Sequence, residues 1–233
     1  MLEAHDVRKV YRSGTAPLAV LQGVSLRVEP GDFMAITGPS GAGKSTLLHL
    51  LAGLDTPTAG DVLWEGTSLS RMSDAQRAAF RNQTIGIVFQ FYHLLPELTA
   101  LENVMLPGLV HRAQPAAVLR ERALKRLAQV GLSRRVQHRP NALSGGELQR
   151  AAIARALVNE PRVILCDEPT GNLDSKTGAE IAELLIGLQR DQGVGLVLVT
   201  HEQELAAMAD QTVVLRDGRI VNEQSKIRTK KRA

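Results

Sequence analysis

Apolar and polar positions follow two different periodicities along this chain, and the changes between them divide it into three stretches. The first 90 residues hold short apolar runs, interrupted by glycine, proline or polar residues, at 20–28, Phe33–Thr37, 61–64 and Ile85–Phe89. Such runs predict strands. A helix is expected between the last two, from about residue 74 to Gln83, because Ser73 is a favourable N-cap.

Helical periodicity dominates from about residue 101 to 156. Residues 115–130 place apolar side chains at helical spacing and stop before Gly131, and a further helix is expected over Gly145–Leu157. From Arg162 the chain alternates again, with strands at 163–166 and 194–200, helices at 176–190 and 202–208, and two short strands around Asp217-Gly218. This alternation predicts an α/β fold with a mainly parallel sheet and helices on both faces, into which the helical stretch is inserted.

Composition narrows the class only slightly. The 233 residues suffice for about one domain, the single cysteine excludes an intrachain disulfide and fits a reducing compartment, and the net charge of +4 is mildly basic. No signal peptide is expected and no apolar stretch reaches the roughly 18 residues of a membrane span, so a channel would have to come from another polypeptide. The basic C-terminal end is either a solvated tail or a contact for anionic lipid headgroups; it holds Lys226, Arg228, Lys230, Lys231 and Arg232.

A phosphate-binding loop follows the strand Phe33–Thr37. Residues 38–46 read GPSGAGKST and fit the pattern G-x-x-x-x-G-K-S. Glycine lets the backbone turn tightly and aim N–H groups at phosphate oxygens, Lys44 can reach the β- and γ-phosphates, and the hydroxyl of Ser45 can ligate Mg²⁺. A helix from Thr46 to Ala52 would add its positive N-terminal dipole. The residues expected to bind ATP here are Gly38, Pro39, Ser40, Gly41, Ala42, Gly43, Lys44, Ser45 and Thr46.

A second element that could act at the phosphates lies far downstream and is acidic. The apolar run 163–166 ends in Asp167 and Glu168, as in a Walker B strand. Asp167 would hold Mg²⁺ through water and Glu168 would polarise the attacking water, which suffices for a reaction that needs mainly positioning and charge neutralisation. The alternative is an Asp-Glu pair that merely opens a turn before Pro169.

Five further candidates are weaker when each is taken alone. Gln90 and His201 each end an apolar run, Asp174 lies in the sequence GNLD, and Tyr11 follows an N-terminal strand. Each is equally compatible with a polar strand end, a capped loop or, for Tyr11, a core position. Ser144 is the second residue of the sequence LSGGELQR at 143–150, whose serine and glycines could present a hydroxyl and N–H groups to a phosphate at a helix N-terminus.

Together these motifs, from Tyr11 to about Asp217, make the chain resemble the ATP-binding cassette (ABC) ATPases. The resemblance implies a P-loop NTPase (RecA-like) core with an antiparallel β subdomain and an inserted helical subdomain. It divides one nucleotide-binding domain, 1–225, into a core and β subdomain at 1–90 and 160–225 and a helical subdomain at about 91–159, with a basic tail at 226–233.

The resemblance also implies roles for the weaker candidates. Tyr11 would stack on adenine, while Gln90, Asp174 and His201 would occupy the Q-loop, D-loop and H-loop. Gln90 would also ligate the metal. The catalytic residues would be Gln90, Glu168 and His201. Ser144, Gly145 and Gly146 would contact the γ-phosphate held by the opposite subunit of a head-to-tail homodimer.

Segments outside these motifs resemble one subgroup, the LolD-type ATPases of lipoprotein-releasing systems, with the MacB-type exporter and FtsE-like cell-division ATPases as close relatives. These segments are 47–62, 81–107 and 130–174; Leu148 and Cys166 depart from the commoner residues. The resemblance implies a peripheral ATPase on the cytoplasmic face of the inner membrane, bound to permease subunits of the LolC/LolE kind and to no nucleic acid. An ABC ATPase acting on DNA or ribosomes is the alternative from another class, and the single cassette without heptads between its motifs counts against it.

Overall fold

The computed structural model describes residues 1–13, 16–111 and 115–226 of the chain. Most of the basic C-terminal tail therefore lies outside the described residues. The elements follow one another as β1 (Leu2–Ser13), β2 (Ala16–Val28), β3 (Phe33–Thr37), α1 (Lys44–Leu51), β4 (Ala59–Trp64), β5 (Thr67–Ser68), α2 (Asp74–Thr84), β6 (Ile85–Phe89), α3 (Ala100–His111), α4 (Ala116–Gln129), a 3-10 turn (Pro140–Ala142), α5 (Gly145–Leu157), β7 (Val163–Asp167), α6 (Ser175–Gln192), β8 (Gly195–Val199), α7 (Gln203–Met208), β9 (Gln211–Arg216) and β10 (Arg219–Ser225).

These elements form two compact units. The first comprises Met1–Met72 together with the chain from Gly195 onward, and the second comprises Ser73–Val194. No helix in the described ranges is both long and apolar enough to cross a bilayer.

The first unit contains an antiparallel sheet in the order β2-β1-β4-β5. Strand β2 begins at Ala16, four residues before the apolar run at 20–28, and includes Pro17. In this sheet β2 pairs with β1 alone, with Pro17 opposite Arg12, so the missing N–H of the proline is tolerated at an edge strand. The two-residue strand β5 was not expected, because two residues carry no readable periodicity.

The first unit also holds the parallel strands that carry the phosphate loop. Strand β3 lies between β8 and β9, parallel to both, and β10 returns antiparallel to β9. All five residues of β8 and four of five in β3 are buried. Continuous apolar runs of this kind are typical of strands covered on both faces.

The second unit is mainly helical around a parallel pair of strands. Strands β6 and β7 pair in parallel, with Ile85 opposite Val163, and α5 packs against β6. A Cβ on Gly86 would lie 2.6 Å from the carbonyl oxygen of Ala156, so glycine at this position permits the close approach of α5. Helix α6 ends at Gly193, whose φ of 63° is the left-handed conformation of a helix C-cap.

The predicted elements are found with small changes at their ends. Helix α2 starts after Ser73, which forms the predicted N-cap with a full capping box, and β6 and α5 have the predicted bounds. Helix α1 begins at Lys44 and not at Thr46, because Gly43 in the left-handed conformation already serves as its N-cap.

Candidate functional site

The phosphate loop favours glycine at three positions, and at two of them a side chain would also meet neighbouring atoms. Gly38 has φ 142°, and a Cβ there would lie 2.0 Å from the carbonyl oxygen of Leu215. Gly43 has φ 98°, and its Cβ would approach the carbonyl oxygen of Val20 to 2.8 Å. Gly41 also has a positive φ, 78°, but nothing lies within 4 Å of its Cβ position, which leaves open space beside the exposed loop.

Lys44 bends back over this loop. Its side chain is only 7% exposed, and Nζ donates to the carbonyl oxygens of Gly38 at 2.9 Å and Pro39 at 3.1 Å. The amide of Ala42 donates to the same Pro39 oxygen at 3.2 Å. The loop thus holds an ammonium group among carbonyl acceptors immediately beside the N-terminus of α1, an arrangement suited to anionic phosphate oxygens.

Ser40 and Ser45 are exposed at the loop, and Thr46 is half-buried. Ser45 lies in the first turn of α1, directly after Lys44. A hydroxyl at this position is an oxygen donor of the kind Mg²⁺ prefers.

Tyr11 lies beside the loop in a small polar cluster. Its hydroxyl donates to Oδ2 of Asp55 at 2.9 Å, and Nζ of Lys9 lies 4.8 Å from the ring centroid and donates to Oδ1 of Asp55 at 2.7 Å. Burial and the hydrogen bond to Asp55 raise the pKa of Tyr11, against a hydrogen bond with Thr46 that acts the other way. Tyr11 is therefore not a core residue: it is 37% exposed and held in place by Lys9, Asp55 and Thr46.

His201 follows β8 on the side of the phosphate loop. Ile36 of β3 pairs with Val199 of β8, and the amide of Thr200 donates to the carbonyl oxygen of Ile36 at 3.2 Å. The loop and the exposed His201 therefore both leave the carboxyl ends of two adjacent parallel strands, where ligands bind in open α/β sheets.

The second unit brings Gln90 and Asp167 to one place in the same way. Phe89 of β6 pairs with Asp167 of β7, so Gln90 and Glu168 both follow the carboxyl ends of neighbouring strands. Nε2 of Gln90 donates to Oδ1 of Asn172 at 3.1 Å, and Nδ2 of Asn172 donates to the carbonyl oxygen of Gln90 at 3.1 Å. Asn172 was not predicted, because it lies 82 positions from Gln90 and no local pattern marks the contact.

Glu168 sits in a strained backbone conformation. Its φ is 46°, the left-handed region that costs a residue other than glycine about 1–3 kcal/mol. The amide of Gly171 donates to the Glu168 carbonyl at 3.1 Å, and Pro169 and Thr170 are buried. A turn before Pro169, the alternative that the sequence left open, is therefore present, and the half-buried Glu168 lies at its start.

Ser144 caps α5 through a capping box. Its Oγ accepts from the Glu147 amide at 3.3 Å, while its own amide donates to Oε2 of Glu147 at 2.9 Å. Arg135 donates to the other carboxylate oxygen at 2.9 Å. Hydrogen bonding from the Ser144 amide, followed by Arg135, lowers the pKa of Glu147.

The two glycines of the sequence LSGGELQR, Gly145 and Gly146, which we call the signature glycines, allow α5 to lie close to the segment that carries Asp174. A Cβ on Gly146 would lie 2.6 Å from Cγ2 of Thr177, and one on Gly145 would lie 3.2 Å from Cδ2 of Leu173. Asp174 caps α6 by accepting from the Thr177 amide at 3.1 Å, and hydrogen bonding by Thr177 lowers the pKa of Asp174.

The segment after Gln90 is held by α5. Tyr92 and His93 have φ values of 57° and 49°, and the guanidinium of Arg155 donates to both of their carbonyl oxygens. Neither this role of Arg155 nor that of Asp55 was predicted, since both depend on contacts distant in sequence.

A strand, a glycine loop with lysine over it and a helix N-terminus define a nucleoside triphosphate-binding protein of the P-loop class. A sequence profile described as "ABC transporter" matches residues 21–171, and the chain belongs to that family. It has the ABC ATPase cassette fold, with an antiparallel β part and a helical part, binds ATP with Mg²⁺ and hydrolyses ATP. The expectations for fold, activity and cofactors are confirmed.

Solved structures agree over nearly the whole chain. The ATP-binding cassette MJ0796, a bacterial ABC transporter cassette, matches with a TM-score of 0.89 as a dimer in a post-hydrolysis state with ADP and Pi (41% identity) and in a second dimeric structure (42% identity), each covering 97% of this chain and 98% of that one. CbiO1 from Clostridium perfringens, part of the ABC transporter complex cbiONQ, matches with 30% identity and a TM-score of 0.85, covering 96% of this chain and 88% of that one.

Proposed function

We propose that the chain is the ATP-hydrolysing subunit of an inner-membrane complex that releases lipoproteins toward the outer membrane. It works as a homodimer on the cytoplasmic face, bound to integral membrane permease subunits of the LolC/LolE kind. The resemblance of the segments 47–62, 81–107 and 130–174 to the lipoprotein-releasing subgroup supports this substrate. The dimers of MJ0796 and the place of CbiO1 in a transporter complex support the assembly.

One observation carries the proposal of a membrane partner. In the segment after Gln90, Phe91 is 68% exposed and Leu95 is 47% exposed, although both are large apolar side chains. Arg155 fixes the backbone between them at Tyr92 and His93. An apolar surface on a fixed loop suits a protein partner better than solvent, and the loop adjoins a residue proposed at the nucleotide.

Each site residue has a role in this proposal. Lys44 neutralises phosphate charge, Tyr11 stacks on adenine, and Glu168 accepts a proton from the attacking water. His201 and Gln90 position that water and the γ-phosphate.

The Mg²⁺ ion would be held by Ser45, Gln90 and Asp167. Hydroxyl, amide and carboxylate oxygens are the donors that this ion takes, so the residue types fit it. When bound, the ion neutralises charge on the phosphates. The expected subdivision into a core with a β subdomain and a helical subdomain at about 91–159 stays part of this proposal.

A shared site in the homodimer is tested by complementation. Ser144→Arg should block ATP-driven dimerisation and leave ATP binding by the monomer intact, because the arginine would occupy the space proposed for the partner's γ-phosphate. Mixing it with Lys44→Ala should restore up to one working site per dimer. ATPase activity of each variant and of the mixture, with the membrane partner present, measures this.

The chain offers a matched control. Ser73 also caps its helix with a full capping box. Loss of either cap should therefore cost about 1 kcal/mol of stability, but Ser73→Arg should dimerise and hydrolyse ATP normally. No recovery in the mixture, or equal defects in both arginine variants, would reduce Ser144 to a helix cap.

The substrate is tested with the permease. Co-expressed with a LolC/LolE-type pair, the chain should co-purify and support ATP-dependent release of a lipoprotein to a periplasmic carrier. Co-purification only with the membrane partner of a MacB-type exporter or of an FtsE-like ATPase would favour exporter or cell-division function. Phe91→Asp should abolish co-purification without changing ATP binding by the isolated chain.

A further inference from the structure

A polar cavity of about 450 Å³ lies in the second unit, between the end of α4, the segment before β7 and the end of α6. None of the residues predicted to bind nucleotide lines it. Its polar lining consists of Lys125, Arg126, Gln129, Glu160, Arg162 and Gln192. The described part of the chain thus contains a polar cavity outside the predicted nucleotide site.

Arg126 is the buried centre of this cavity. It is 7% exposed, and its Nη1 donates to Oε1 of Gln129 at 2.9 Å and to Oε1 of Gln192 at 3.4 Å. Its Nη2 donates to Oε1 of Glu160 at 3.3 Å. The guanidinium is therefore fixed by three neighbours through its two terminal nitrogens.

Two buried donors on residues that line the cavity have no acceptor. Nε of Arg126 and Nε2 of Gln192 are each buried without a hydrogen-bond partner among the described residues. A buried donor without a partner is costly, and both of these groups can only donate. The missing group must therefore be a hydrogen-bond acceptor, such as an oxygen atom.

The charge of the cavity lining indicates that the acceptor is an anion. Three cationic side chains, Lys125, Arg126 and Arg162, face one carboxylate, and that carboxylate belongs to Glu160, whose side chain is 64% exposed. Burial is the main cause that lowers the pKa of Arg126, with Glu160 opposing it. A cation is disfavoured in this lining, whereas an anion gains from it.

We propose that this cavity binds a small oxyanion, a phosphate or carboxylate group, between the guanidinium of Arg126 and the side-chain amide of Gln192. Both donors are buried without the ligand, so the half-buried side chain of Gln192 has to rotate to admit it. Lys125 and Arg162, which are exposed at the rim, attract the anion and pair with its outer oxygens. The site is independent of the proposed role in lipoprotein release.

The proposal is tested by nuclear magnetic resonance on the full chain, titrated in parallel with inorganic phosphate and with formate at constant ionic strength. We expect saturable shifts of the Arg126 Nε–H and Gln192 Nε2–H₂ signals. The amide of Gly41 reports separately on phosphate that enters the nucleotide loop. Shifts with phosphate alone identify a phosphate group as the ligand, and shifts with formate alone identify a carboxylate group.

Three variants make the test specific. The double variant Lys125→Gln/Arg162→Gln should bind roughly tenfold more weakly, because it loses two partly screened charges, whereas Arg120→Gln, which removes an exposed charge from the same α4, should bind normally. Gln192→Glu places a carboxylate oxygen beside Arg126, so it should lose anion binding and melt at a higher temperature than the wild type.

Two results would contradict the proposed oxyanion site. No saturable shift at Arg126 and Gln192 would overturn the proposal and leave water as the acceptor. Equal weakening in Arg120→Gln and in the double variant would reduce the effect to general screening, and would overturn it as well.

Discussion

The role of the signature glycine Gly146 in the packing of α5 can be tested without any nucleotide. A Cβ on Gly146 would lie 2.6 Å from Cγ2 of Thr177, whereas carbon atoms pack at about 3.5–4.0 Å. Thr177 cannot easily turn aside, because it is β-branched and its amide is held by Asp174 at 3.1 Å. Overpacking costs about 1–3 kcal/mol and alanine regains at most about 1 kcal/mol of helix propensity, so Gly146→Ala should lower the free energy of unfolding by roughly 0–3 kcal/mol.

A double-mutant cycle separates these two effects. Thr177→Ser removes Cγ2 but keeps the hydroxyl that bonds Asp174. In this background Gly146→Ala should be neutral or stabilising by up to about 1 kcal/mol, which gives a coupling of about 1–3 kcal/mol between the two positions. Urea unfolding of the four proteins without nucleotide measures it through the midpoint and the slope.

Gly187 provides the control. It lies inside α6, and nothing lies within 4 Å of its Cβ position. Gly187→Ala should therefore stabilise the protein by about 1 kcal/mol. If Gly146→Ala has the same effect in both backgrounds, close packing does not account for this glycine, and the reasoning from the contact distance is refuted.

Three further predictions concern single residues. Glu168→Gln should slow phosphate release by roughly 10²–10⁴-fold, as for loss of a general base, with MgATP affinity retained in equilibrium binding; turnover at the wild-type rate would exclude Glu168 as the base. Tyr11→Ala should weaken MgATP binding by about 1–3 kcal/mol of lost base stacking, whereas Tyr11→Phe should bind nearly as well; equal losses would instead implicate the hydroxyl and Asp55. Cys166, 0% exposed, should resist thiol reagents in the native protein and react in urea; fast native labelling would contradict its burial in β7.

Much of the fold and of the candidate site follows from local sequence. The strand Phe33–Thr37 and its glycine loop, the cap at Ser73 and the helix at Gly145 each depend on residues within a few positions of one another, and the structure has them at or near the predicted bounds. Periodicity and capping are local effects, so a sequence reveals them directly.

The parts that the sequence did not predict are contacts over long separations. Asp55 orients Tyr11 from 44 positions away, and Asn172 binds Gln90 from 82 positions away. Each partner is an ordinary polar residue in a loop, and only the folded chain gives it a specific neighbour. The reason for glycine at 146 is likewise hidden, because Thr177 becomes its neighbour only when α5 and α6 pack together.

Residues with a strained backbone also lie in segments that are held by contacts distant in sequence. Among the described residues other than glycine, seven have a positive φ; Glu65 and Asp217 precede glycines in two-residue hairpin turns, and Asp6 lies at an irregularity of β1, so sheet geometry accounts for these three. The other four lie in loops of the second unit: Tyr92, His93, Glu160 and Glu168.

A strained residue that sheet geometry does not explain persists only where surrounding contacts impose it. Arg155 does so for Tyr92 and His93 through their two carbonyl oxygens, and the buried turn to Gly171 does so for Glu168. These are the segments proposed to meet the membrane partner and to activate water. Glu160 has the same kind of backbone and binds Arg126 in the cavity proposed for an oxyanion. Positive φ among these loop residues therefore marks the two proposed functional segments and also a residue that lines the cavity with two unsatisfied donors beside it.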